Sequence, residues 1–170
     1  MYGTDAFRFT LAAYAAQGRD IKISEQKVEG YRHFLNKIWN VARFISMNVK
    51  DGEQAALAIK VKDLSLADRW ILSRLSAVCL EVNTALEEYR FNDASGAVYQ
   101  FIWHELCDWY VEMIKPELYG DNTEKRKAAI STLVHVYEVS LALLHPFMPF
   151  ITEEIWRQLP CKKEEDCLCV

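Results

Sequence analysis

The chain has 170 residues, 51% of them hydrophobic and 26% charged, with a formal net charge of −4. That length supports one sizeable core, the composition excludes a disordered chain, and the acidic balance argues against a nonspecific nucleic-acid binder, so any such contact needs a local patch. With only 6 Gly and 4 Pro there is little turn punctuation, which favours long helices over a many-stranded fold.

Residues 4–17 predict a first helix, capped by Thr4 or Asp5 and stopped at Gly18. After a short link, Ser24 caps a second helix over 24–48. At about 100° per residue, Tyr31, Phe34, Leu35, Ile38, Val41, Ala42 and Ile45 form its apolar arc. Arg32, Asn36, Asn40 and Arg43 fall opposite, with His33 and Lys37 beside them. Phe44 lands among these polar residues, in line with His33, Lys37 and Asn40. A ring beside amides and cations is what an unpaired base needs: a face to stack on, hydrogen bonds for its edge and charge for its phosphate. The same pattern fits a solvated face with Phe44 reaching into a neighbouring helix.

Residues 51–64 are a weakly patterned connector. Ser65-Leu66-Ala67-Asp68 reads as a capping box in its Asp form, opening a helix to about Tyr89. Asn92 or Asp93 restarts a helix to about Pro116, rich in aromatic residues. Asn122 and its neighbours cap a helix over 123–144, which His145-Pro146 and Met148-Pro149 break. Thr152 caps a last short helix. The fold class is therefore all-α: an antiparallel bundle of about five long helices plus a short C-terminal helix. Residues 1–160 form the bundle domain and 161–170 a charged, Cys-containing tail.

No apolar run reaches the ~20 residues of a membrane span. The five Cys, with no C-x-x-C pair and no signal peptide, point to the cytosol and away from a zinc site. A catalytic constellation is missing as well. His104, Cys107 and Asp108 have the spacing of a base and a nucleophile but no glycine loop or oxyanion donor. Asp108 and the adjacent Trp109 read as structural, Asp108 as a partly buried carboxylate seeking a cation such as Arg43 or Arg8.

Several stretches together resemble class I aminoacyl-tRNA synthetases. Tyr2-Gly3-Thr4-Asp5-Ala6-Phe7-Arg8-Phe9 is similar to the segment after their KMSKS loop. Asn36-Lys37-Ile38-Trp39-Asn40-Val41-Ala42-Arg43-Phe44 is similar to the helix opening their anticodon-binding bundle. His145-Pro146-Phe147-Met148-Pro149-Phe150 resembles their closing segment, and Cys107-Asp108-Trp109-Tyr110 resembles the valyl branch rather than the isoleucyl one. Neither the HIGH-type nor the KMSKS motif occurs in these residues.

The resemblance implies an anticodon-arm binding domain of an enzyme that joins valine to its tRNA with ATP and Mg²⁺. This segment itself would hold no cofactor, no metal and no catalytic residue. Its partners would be a valine tRNA and the catalytic domain of the same polypeptide, in the cytoplasm and away from membranes. Phe44 would stack on an anticodon base and Val111 would supply an apolar contact. Lys37, Asn40, Arg43, Arg32 and Asn36 join them on the strength of the helical face. Other readings stay open: a helical scaffold binding other proteins, the corresponding domain of an isoleucyl-type synthetase, and an enzyme built on His104 and Asp108. Five cations against two carboxylates along residues 22–43 favour RNA over the scaffold.

Overall fold

The structure, a computed structural model, describes residues 3–15, 23–49, 61–159 and 167–168. The expected stop at Gly18, most of the connector, Lys22, Cys161 and Cys169 lie outside the described residues. Among those described, helix is the only regular structure: α1 (Thr4–Tyr14), α2 (Glu25–Asn48), α3 (Leu66–Glu87), α4 (Phe91–Gln100), α5 (Val111–Tyr119), α6 (Thr123–Leu144) and α7 (Pro149–Gln158). A 3-10 turn at Val61–Asp63 precedes α3, and a wide π-helical stretch, Phe101–Tyr110, joins α4 to α5 in one rod.

Side-chain contacts fix the helix directions. Phe9 of α1 meets Tyr31 and Phe34 of α2 while Tyr14 receives Lys27, so α1 and α2 are antiparallel. The Tyr137 hydroxyl donates to the Ile38 carbonyl at 2.8 Å and Arg126 donates to the Asn48 carbonyl at 2.6 Å, which pins α6 antiparallel to α2. Tyr31 and Phe34 pack on Tyr99, and Phe34 on Trp103 farther along, so α2 runs parallel to the α4–α5 rod.

Caps and stops follow local chemistry. The Ser65 hydroxyl accepts the Asp68 N–H at 3.1 Å and the Asp68 carboxylate accepts the Ser65 N–H at 2.9 Å, completing the capping box. Asp68 is fully buried because its other oxygen accepts the Tyr110 hydroxyl at 2.6 Å, tying the start of α3 to the π-helical stretch. Asn122 caps α6 by accepting the Lys125 N–H at 3.0 Å.

Helix α1 starts after Gly3 with no side-chain cap, and α4 starts at Phe91, just ahead of Asn92 and Asp93. Three further features differ from the sequence reading. The rod passes through Pro116 to Tyr119, since Pro116 and Glu112 are both exposed and water can serve the carbonyl that proline leaves free. Thr152 does not cap α7. Pro149 takes the first helical position, and the buried Thr152 hydroxyl donates to Met148 at 2.8 Å and meets His145 Nδ1 at 2.7 Å. The N-terminus of α7 is served from α1, where the buried Asp5 carboxylate accepts the N–H groups of Phe150 and Ile151. The third difference is α6, whose 22 residues have the length and hydropathy of a membrane span, with 67% of that window buried inside the bundle. Its apolar residues serve a helical core, as a central helix requires.

Candidate nucleic-acid interface

The core face of α2 is set by Phe34, Ile38, Val41 and Ile45, all buried. Arg32, Asn36, Asn40 and Arg43, on the far side of the helix, are all exposed. Two amides thus lie between two guanidinium groups along one open ridge, and neither Arg32 nor Arg43 pairs with a carboxylate among the described residues. The ridge offers donors and acceptors to an incoming polar ligand without first breaking an ion pair.

Lys37 sits on a flank of the ridge, facing the rod. Its ammonium bonds the Asp108 carboxylate and lies 4.3 Å above the Trp103 ring. His104 Nδ1 meets the other Asp108 oxygen at 3.1 Å. Burial pushes the Asp108 carboxyl up, but Lys37 and His104 outweigh it and hold the group below the usual carboxylate range. The partner of Asp108 is therefore Lys37, not Arg43 or Arg8. Parallel packing of α2 and the rod sets Lys37 opposite Asp108, while Arg43 lies on the other side of α2 and Arg8 donates to the Pro146 carbonyl at 3.3 Å. Asp108 is also more open than the sequence reading holds, its side chain 41% exposed.

Two further residues depart from expectation, and a third, Cys107, is the buried thiol that its apolar surroundings imply. Val111 is 7% exposed and belongs to the core, so its apolar side chain packs inward rather than facing a ligand. Trp109 is 60% exposed, and its aromatic bulk does not build the core. Cys107 is buried, and burial pushes its thiol up to about 12, so the thiolate a nucleophile needs is missing near neutrality. With His104 committed to Asp108, the proposed base and nucleophile do not form a pair.

Phe44 lies between the two positions that its spacing left open. It is half-buried and packs against the core while keeping part of its ring accessible beside Asn40. Among the described residues, no group of three or more His, Cys, Asp and Glu is placed to hold a metal ion.

On the opposite flank, α2 and α7 enclose a cavity of about 300 Å³ that the sequence reading passed over. Trp39, Arg43 and Ser46 line it from α2, and Ile155 and Gln158 from α7. The sequence signal was the pair Trp39 and Arg43, one helical turn apart. The contribution of α7 requires the tertiary structure.

Comparison with known proteins gives this geometry a context. A family described as the anticodon-binding domain of tRNA ligase matches residues 68–168. The chain is 57% identical over 159 residues to a valine–tRNA ligase of Geobacter sulfurreducens and 53% identical over 159 residues to one of Syntrophotalea carbinolica. In both cases the match covers 94% of this chain and 18% of the relative. The chain thus spans about a fifth of the length of the curated relatives it matches. Its fold is shared with the agnB2 LeuRS of Agrobacterium radiobacter K84, solved in a ternary complex with tRNA and LeuAMS. The TM-score is 0.63 at 20% identity, over 95% of this chain and 19% of that one.

Proposed function

We propose, from the premise that the chain belongs to the anticodon-binding domain family of tRNA ligases, that it is the anticodon-arm binding domain of a valine–tRNA ligase. The observation that carries this reading is the exposed ridge of Arg32, Asn36, Asn40 and Arg43 on α2. Splayed loop bases stack on the accessible part of Phe44, their edges meet the amides of Asn36 and Asn40, and Arg32 and Arg43 meet phosphates. Lys37, held by Asp108, sets the flank of the groove rather than supplying a free cation.

The longer enzyme joins valine to its tRNA in the cytoplasm, and its catalytic domain binds the ATP and Mg²⁺ that drive the reaction. This domain supplies recognition and no reacting group. A protein-binding scaffold would explain the exposed rings equally well, but the matched family and relatives give it no support.

The test is binding of an anticodon stem-loop of a valine tRNA to the chain and to Arg32→Ala and Asn40→Ala. Both residues are exposed, so both variants keep the parent melting temperature while affinity falls. Loss of one phosphate contact also makes the salt dependence of Arg32→Ala shallower, by about 0.7–0.9 in log–log slope. Unchanged affinity and slope in both variants contradict the assignment of the ridge.

A further inference from the structure

The cavity between α2 and α7 has the chemistry of a nucleobase site. Its volume of about 300 Å³ stands at the lower end of the ~300–1,000 Å³ typical of small-ligand sites, room for one planar heterocycle. Trp39, 37% exposed, supplies an aromatic wall, and Ile155 an apolar surface. Arg43 brings guanidinium donors that no carboxylate among the described residues occupies. Gln158 donates its amide N–H to Glu154 at 2.5 Å, which leaves its carbonyl oxygen as an acceptor. The Ser46 hydroxyl donates to the Ala42 carbonyl at 3.1 Å, which likewise leaves its oxygen able to accept.

Donors from α2 and acceptors from both helices thus surround a slot with a stacking wall. That set suits a base edge, which presents donors and acceptors side by side. An aliphatic side chain in the same slot would leave the guanidinium and the amide oxygen unanswered, at a desolvation cost.

We propose that this cavity receives one unstacked base of the bound RNA loop, on the Trp39 side of the α2 ridge and apart from the Phe44 side. The proposal rests on the anticodon-arm reading above. Phe44 and Trp39 then hold different bases, and Arg43 belongs to the edge-reading set as well as to the ridge.

The test scans 2-aminopurine through the loop of a valine anticodon stem-loop and measures its fluorescence and affinity with the chain and three variants. In the parent chain, one loop position loses fluorescence on binding through stacking against Trp39. Trp39→Leu abolishes that quench and weakens binding by about 5- to 150-fold, the range of one lost aromatic stack. Trp39→Phe restores much of the affinity. Gln158→Ala, at an exposed position, weakens binding at the same loop position without lowering the melting temperature. Parental affinity and quench in both Trp39→Leu and Gln158→Ala, alongside a weakened Arg32→Ala, overturn the pocket and leave the anticodon-arm reading standing. No binding by the parent chain at low salt overturns both.

Discussion

The carboxylate of Asp5 accepts the backbone N–H of Ile151 at 2.7 Å, so a residue in the first turn of the first helix serves the open N-terminus of the last. A second, longer bond comes from the Phe150 N–H at 3.4 Å. The carboxylate also lies where the partial positive charge of the α7 terminus is strongest. Chain start and chain end are thereby joined in one cooperative unit.

Asp5→Ala should cost about 1–2 kcal/mol, the usual loss of a capping acceptor at a helix N-terminus. For a chain of this length that corresponds to a fall of about 2–8 °C in the melting midpoint. A calorimetric scan checks it, and an unchanged midpoint would show that α7 is held by its apolar face alone.

Asp108→Asn should leave stability nearly unchanged, because the Lys37 ion pair is largely solvated. It should release Lys37 toward phosphate, tightening RNA binding and steepening its salt dependence. The pH dependence has a definite sign. The Asp108 carboxyl is held below its unfolded value, so the pair's small stabilisation is fully present above about pH 4 and is lost as pH falls through the lowered value. Chemical denaturation of parent and variant between pH 2 and 7 should converge at the acid end.

Glu117 lies at the other extreme. One of its carboxylate oxygens is buried without a hydrogen-bond partner, and burial, with Asp68 nearby, pushes its carboxyl up. A raised carboxyl disfavours the folded state once the unfolded chain ionises, above about pH 4.5. Glu117→Gln should therefore raise stability at pH 7, with the gain vanishing in acid. Denaturant midpoints at both pH values decide it. A loss of stability at pH 7 would mean that attraction to Lys125 outweighs the burial.

Phe44→Ala cannot separate stacking from packing, since the ring touches the core. Truncation there combines a cavity with any lost stack. Phe44→Leu is the cleaner change: it should keep the fold within about 1.5 kcal/mol and weaken RNA binding by about 1–3 kcal/mol, the scale of one stacked base. Isothermal titration beside a melting curve separates the two effects. Full affinity in the Leu variant would reduce Phe44 to a core residue.

Helical periodicity was enough to place α2 and α3, each of which keeps an apolar face over several turns, and side-chain caps at Ser65 and Asn122 mark the starts of α3 and α6. The exposed ridge of α2 followed from the same periodicity, since a residue opposite Phe34 and Ile38 has only solvent to face. The partner of Asp108 was not legible. It depends on which helices run parallel, and the packing of Tyr31 on Tyr99 settles that only in three dimensions. The contact role of Val111 came from the resemblance alone, which carries no information on burial, and the structure packs that side chain into the core. The Trp39 cavity needed α7, which lies over a hundred residues away in sequence.

The most direct test of the anticodon-arm reading is the affinity of this chain for a valine anticodon stem-loop bearing CAC against one with an altered anticodon, at low and moderate salt. Binding that prefers CAC and weakens as salt rises is the predicted result, since bases are read and phosphates are neutralised on one face. Equal affinity for both loops, or no binding at low salt, would contradict the account.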